Sequence, residues 1–429
     1  MVEVCDVSIR QLGRERSQIV RFNRLLANAK VTVAEIIAEW SAGTTKAAAG
    51  RHVLAIEDTT ELHFTTAPER RRGLGPNGRG NSFGFQVHPV LAIDADTSAC
   101  LGLAGGSIWN RQGVAAVAHT KRPLSARESV RWIDAALQAK ANLPTAQGIT
   151  VVVDREADFY ALLATLPAEN LDFIVRVYND RALATSKTLY ATMAEWPEAD
   201  RRTMELREGP NRSRRFVHFA LRFGTVTICR PQGKHDPRLP TTISLQAIDV
   251  TEVGPLAGKT ALHWRLLTTH ALPNPHAAWQ VVGWYGQRWH VEQLFRTMKQ
   301  QGLHVEDSQL DDVDGLMKLA ATATRAACMI IQLVQARDGR TAQGADVIFS
   351  AEELAVMPAL VSKLEGKTAK QKNPHPPRSA AWAAWIVGRL GGWDGYSCSR
   401  PPGPITMRHG LVRLQAIALG FALQHVCMP

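Results

Sequence analysis

The chain lacks the residues that build covalently or metal-stapled frameworks. Its six cysteines, Cys5, Cys100, Cys229, Cys328, Cys398 and Cys427, are scattered through 429 residues with no CxxC pair. That spacing excludes a zinc ribbon and a dithiol redox motif, and so long a chain does not suggest a disulfide scaffold. The thiols read as reduced and mostly buried, since free cysteine behaves as a small hydrophobe. Long apolar runs are lacking too. No stretch stands out at the ~18 residues of a membrane span, and the longest candidate, around 417–423, is far too short. No membrane partner is expected. Glu3, Asp6 and Arg10 interrupt any apolar segment at the start, against a signal peptide, so the expected location is cytoplasmic. The 32 glycines and 22 prolines are near the usual share, which excludes a collagen-like or low-complexity chain.

What is present is an ordinary core and an excess of positive charge. Hydrophobic residues make up 45% and charged residues 21%, enough to bury a sizeable interior. The length suggests two or three domains. Fifty Lys and Arg against 39 Asp and Glu give a net charge of +11. Basic clusters recur at Arg70-Arg71-Arg72 with Arg79, at Arg201-Arg202, from Arg212 to Arg215 and from Lys363 to Lys372. A distributed positive field suits a polyanion, most often nucleic acid. Solvated basic faces produce the same composition.

Residues 9–40 carry apolar side chains at helical spacing, Ile19, Phe22, Leu25 and Leu26, then Val33, Ile36 and Ile37. A small-residue linker, 41–50, follows. Val53–Ile56 reads as a strand, and 65–82 as a Gly/Arg/Pro loop. Phe83–Asp94 and Leu101–Trp109 form an expected antiparallel pair. Ser125 and Glu128 give a capping box for a helix over 125–141. Ile149–Val153 is a β-branched apolar run, the mark of a strand buried on both faces, and Leu171–Val177 is another. A helix over 156–166 lies between them. Strand patterning dominates from 188 to 253 and at 264–269, and helices from Gln280 onward. The expected organisation is an N-terminal helical region (1–50), a first part of an α/β domain (51–186), a β-rich insertion (187–258), a second part of that domain (259–345) and a C-terminal helical region (346–429).

Three acids stand out by position. Asp58 and Asp154 each follow a buried strand, and Glu292 lies in an expected helix. Carboxylates at neighbouring strand ends, joined by one from a covering helix, suit a hard cation such as Mg²⁺, and a pair of such ions can drive phosphoryl transfer. An Asp at a strand end is also a common turn or helix cap. On one continuous helix, Tyr285, Arg288, Glu292 and Lys299 fall within a stripe roughly 60° wide. Trp284, Val291, Leu294, Phe295 and Met298 lie beside it. Arg and Lys there would meet phosphate oxygens; an exposed charge ladder is the plainer alternative.

The spacing Tyr285-x₂-Arg288-x₃-Glu292-x₆-Lys299 resembles the YREK signature of bacterial insertion-sequence transposases of the IS-four group, DDE enzymes with an RNase H-like catalytic domain. Ala55-Ile56-Glu57-Asp58-Thr59-Thr60 and Val153-Asp154-Arg155-Glu156-Ala157-Asp158 resemble the first and second acidic motifs of that family. The likeness extends more thinly over 15–420. It implies that Asp58, Asp154 and Glu292 hold two divalent ions, normally Mg²⁺ with Mn²⁺ able to substitute. It implies that Tyr285, Arg288 and Lys299 hold phosphates of the transposon end, and that Arg176 contacts DNA backbone. Trp264 matches the aromatic that stacks on a flipped base, and Trp289 the residue that wedges it out; core packing is the alternative for both. The implied partners are double-stranded DNA, as transposon ends and target, and a second copy of the chain. The C-terminal helices from about Pro358 are the expected dimerisation region, with Lys363–Lys372 on DNA.

One departure bears on function. Family members carry several dozen residues ahead of the segment that 1–40 matches, and those residues recognise the terminal repeats. The expectation is therefore either a cut-and-paste transposase with a shortened end-recognition part, or a truncated protein that dimerises and inhibits transposition. A metal-dependent nuclease of the same fold is a third reading.

Overall fold

A computed structural model describes residues 16–64, 73–78, 82–111, 127–206, 214–232, 236, 238–255, 260–339, 343–396 and 398–426. Arg70–Arg72, Arg79, Arg212, Ser125, Cys5 and Cys427 lie outside the described residues. In chain order the elements are α1 (Arg16–Ala27), α2 (Val33–Ala38), α3 (Ala42–Ala47), β1 (His52–Glu57), β2 (Thr60–His63), β3 (Gly75–Pro76), β4 (Phe83–Asp94), β5 (Cys100–Trp109), α4 (Val130–Asn142), β6 (Gly148–Val153), α5 (Tyr160–Ala168), β7 (Asp172–Arg176), α6 (Leu189–Glu195), β8 (Asp200–Leu206), β9 (Arg215–Cys229), β10 (Thr242–Val253), β11 (His263–Thr268), α7 (Pro275–Gly286), α8 (Trp289–Lys299), α9 (Val313–Ala336), α10 (Ala351–Leu364), α11 (Ala380–Leu390) and α12 (Pro404–Val426). The fold is mixed α/β, sheet flanked by helices, as expected. It divides into two compact units, one of Met1–Ala115, Gln138–Gln147 and Trp289–Pro429, the other of Ala116–Leu137 and Gly148–Arg288.

In the first unit β4 is the organising strand. It pairs antiparallel with β5, and on its other edge with β1 and β2 in succession, Glu57 opposite Val90 and Thr60 opposite Val87. Asp58 and Thr59 therefore occupy the bend between two strands that share one partner. Gly102, with φ +140°, lets the preceding helices close onto β5; a Cβ there would meet Thr44 Oγ1 at 2.1 Å. The 41–50 segment, expected as a linker, is helical instead. The Glu39–Ser41 3₁₀ turn runs directly into α3, and the alanines that read as spacer are strong helix formers.

α9 is the core helix of this unit, buried along most of its length. It is also the one helix among the described residues long and apolar enough to cross a membrane, with mean hydropathy 1.3 over an 18-residue window that is 67% buried. The apolar maximum is thus here and not at 417–423, because Lys318 and Arg325 interrupt the run without lowering its mean hydropathy below that of a span. Burial against protein marks it as a core helix.

In the second unit β6 pairs parallel with β7, and β11, β10, β9 and β8 add antiparallel in that order. The strands of the expected insertion thus pair, through β11, with the strand that carries Arg176. One sheet face packs Trp132 of α4, Leu162 and Leu163 of α5, and Leu189 and Met193 of α6 over Val151, Val153, Phe173, Val175 and Leu267. α7 lies against β6 and β9.

Candidate functional site

The motif read as one helical stripe is broken. α7 ends at Gly286, the Gln287 and Arg288 amides turn back to Trp284 O and Tyr285 O, and α8 starts at Trp289. Gly283 and Gly286 weaken the last turn of α7, while apolar spacing continues through the junction and so hides it in the sequence. The boundary between the two units falls at this same break. Tyr285 and Arg288 belong to the second unit, and Glu292 and Lys299 to the first.

The second unit brings five of the expected residues together. Asp154 ends β6 and caps the following 3₁₀ turn, accepting from the Glu156 amide at 2.9 Å. Arg176 ends β7 opposite Leu266 of β11, so that Trp264, two residues away, shares its sheet face. The Trp264 indole is half-buried between Phe219, stacked at 6.3 Å, and the edge of Tyr285. Tyr285 is buried, and its hydroxyl makes no well-formed hydrogen bond among the described residues. Burial pushes the Tyr285 phenol above its usual range, with Asp154 acting in the same direction; Arg288 and Arg176 oppose it without reversing it. The group is a neutral donor, near two guanidiniums, that lacks an acceptor. A buried hydroxyl left so is costly.

In the first unit, Asp58 accepts the Thr59 amide at 2.8 Å. Behind it stand two residues that sequence reasoning did not single out, Glu57 and His88, both fully buried. His88 Nε2 lies 3.3 Å from Glu57 Oε2, and its Nδ1 2.9 Å from Thr59 Oγ1. A histidine inside the apolar strand 83–94 was the available signal. Glu292 sits half-buried in the first turn of α8, and Trp289, opening that helix, is 54% exposed. Lys299 is held by protein: its Nζ donates to Glu61 O and lies 3.5 Å from Glu306 Oε1.

The basic clusters are less free than composition suggests. Arg201 forks onto Glu198, Arg202 lies over the Trp279 ring at 5.1 Å, Arg214 pairs with Glu205 and Arg215 with Glu252. Glu205 and Glu252 on strands, and Glu198 just ahead of β8, neutralise what reads as a basic run. Lys363, Lys367 and Lys370 are exposed, and Lys372 pairs with Glu365 at 3.0 Å.

Among the described residues, no group of three His, Cys, Asp or Glu is arranged to hold a metal ion. The donor chemistry nonetheless fits a hard divalent cation. Asp58, Asp154 and Glu292 offer oxygen alone, and Mg²⁺ is commonly held by one or two carboxylates with waters and substrate phosphates rather than by an all-protein cage.

Residues 51–329, more than half of the chain, match the family of transposase DDE domains. The chain belongs to that family, whose members are DNA-cleaving and strand-transferring enzymes. Among solved structures, a piggyBac transposase in its synaptic complex with hairpin DNA is similar at 12% identity and a TM-score of 0.37, over 85% of this chain and 57% of that one. The chain thus aligns with little more than half of that protein's length.

Proposed function

We propose that the protein is a cut-and-paste DNA transposase of the IS-four group, bearing the YREK signature on an RNase H-like catalytic domain. The observation that carries this reading is the buried, acceptor-lacking Tyr285 hydroxyl grouped with Asp154, Arg176 and Arg288, in a chain of the DDE family. Asp58, Asp154 and Glu292 would hold two Mg²⁺ ions, or Mn²⁺ in their place, which supply Lewis-acid activation of the attacking and leaving oxygens. The protein's own groups do the positioning. Arg176, Arg288 and Tyr285 hold phosphates of the transposon end, with charge-assisted bonds from the guanidiniums. Lys299, engaged with Glu61 and Glu306, stands ready to exchange those partners for phosphate. Trp264 offers a flat face to a flipped base, offsetting a few kcal/mol of unstacking, and exposed Trp289 can wedge that base out.

The proposed sequence of steps is in-line displacement at phosphorus throughout. Water opens the first strand, the freed 3′-OH attacks the opposite strand to form a hairpin, a second water reopens it, and the 3′-OH joins target DNA. The protein would act as a homodimer on DNA at the bacterial nucleoid, with the C-terminal helices at the dimer contact. Asp58→Ala, Asp154→Ala and Glu292→Ala should each abolish Mg²⁺-dependent cleavage of end oligonucleotides while DNA binding persists. Near-normal cleavage by Asp154→Ala excludes the assignment. Cleavage by the wild-type protein without strand transfer would make it a nuclease instead.

A further inference from the structure

The second acidic motif ends in Asp158, which the mechanism above does not use. This carboxylate is completely buried, and it is among the most fully bonded side chains described. Its Oδ2 accepts the amides of Tyr178 at 2.7 Å and Asn179 at 2.8 Å, while its Oδ1 accepts Nε and Nη2 of buried Arg181. Its backbone carbonyl takes the Asn179 side-chain amide and Arg181 Nη2, both at 2.8 Å. Asp158 also closes the 3₁₀ turn that Asp154 opens. The segment leaving β7 is therefore bolted to the turn that carries Asp154.

The residue presented by this clamp is Tyr178. Its amide is held by Asp158 and its carbonyl by the Tyr190 hydroxyl at 3.0 Å, yet its side chain is 66% exposed, among the most exposed large apolar groups described. Val177 N continues the ladder to Arg265 O at 2.9 Å, so Tyr178 lies just beyond the last paired position, two residues from Arg176. The acids of the loop are both engaged, Asp158 by Arg181 and Asp180 by the Tyr190 amide at 2.9 Å. What stands two residues beyond Arg176 is therefore an exposed aromatic ring with a fixed backbone.

We propose that Tyr178 is a stacking platform for an unpaired nucleotide of the DNA strand whose phosphate Arg176 holds. This rests on the transposase reading and adds a contact to its site. A rigid, exposed aromatic beside an arginine is the arrangement by which proteins bind single-stranded nucleic acid without sequence preference, because every base has a π-face. Pinning both backbone polar groups lowers the entropy lost when the ring is covered.

The test uses the full chain and two probes of arbitrary sequence, a blunt duplex and the same duplex with a short single-stranded flank carrying 2-aminopurine. Tyr178→Ala should weaken binding of the flanked duplex about tenfold and leave the blunt duplex unchanged. It should also abolish the fluorescence quenching that accompanies stacking. Tyr178→Phe should keep both affinity and quenching, since the ring and not the hydroxyl is used. Equal affinity of wild type and Tyr178→Ala for the flanked probe overturns the platform and leaves the transposase reading standing, as does equal loss on both probes. If the wild-type protein binds neither probe, both readings fall together.

Discussion

Trp264 meets Tyr285 edge to face, with ring centroids 5.8 Å apart and planes at 67°. The contact ties a strand-borne aromatic to the hydroxyl that lacks an acceptor, and it separates packing from chemistry at each residue. Tyr285→Phe keeps the ring and removes only the hydroxyl. Because an unpartnered buried hydroxyl costs about 1–3 kcal/mol, stability in urea unfolding should be unchanged or higher, while affinity for end DNA falls. Destabilisation by more than about 1 kcal/mol would mean that the hydroxyl has a protein partner after all. Trp264→Ala should impair hairpin formation more than first-strand nicking in a gel assay of cleavage products; equal loss at both steps would assign the indole to packing with Phe219.

The buried pair of Asp158 and Arg181 supports a different expectation, one about stability. Removing either partner strands a charge where water cannot reach it, and such changes cost about 3–5 kcal/mol. Asp158→Ala and Arg181→Ala should each lower the urea midpoint by a corresponding amount, and the double variant should lose less than the sum. Losses below about 1 kcal/mol would show that the charges reach solvent.

How much of this was legible beforehand depended on which force set each element. The strand 149–153 stood out because β-branched residues run unbroken through it, and 83–94 because aromatic and aliphatic residues recur along it. The junction at 287–288 was invisible, because apolar spacing continues through it and only the local hydrogen bonds reveal the turn. α9 was expected as helix but not as the most apolar stretch, because two basic residues inside the run decided nothing once the helix was packed. Asp58, Asp154 and Tyr285 were singled out from motif spacing. Their supports, His88 and Asp158, were not, since a residue that acts by touching a distant segment leaves no periodic trace. Charge misled most: Arg214 and Arg215 meet carboxylates supplied by neighbouring strands, and Arg201 folds back onto Glu198 three residues earlier, which composition cannot foresee.

Glu252 gives a pH expectation. Arg215 forks onto it at 2.6 and 3.2 Å and the Leu262 amide adds a bond at 3.0 Å. The Arg215 hydrogen bonds hold this carboxyl below its ordinary value of 4.5, outweighing burial. A folded-state pKa below the unfolded one means stability fully present above 4.5 and lost as pH falls through the lower folded value. Urea midpoints of the wild type should therefore drop on acidification below 4.5. Glu252→Gln should start lower and show a shallower decline over that window. Parallel declines for the two proteins would remove Glu252 as a source.

Lys318 is almost completely buried, 1% exposed on α9. Its ammonium donates to Leu26 O at 3.0 Å and Asn28 O at 3.1 Å, with Asp314 at 2.5 Å. The first two are carbonyls at the C-terminal end of α1, where a helix leaves acceptors unsatisfied and favours a cation. Lys318 thus caps α1 and fastens it to the core helix, while Asp314 keeps the charge paired. Lys318→Met preserves the length and apolar stem but removes the donors. It should expose the 27–32 connection to limited proteolysis and speed amide exchange in α1, while exchange in β4 and β5 stays slow. If α1 remains as protected as in the wild type, the cap is not what holds that helix, and the apolar contacts of Leu26 must suffice.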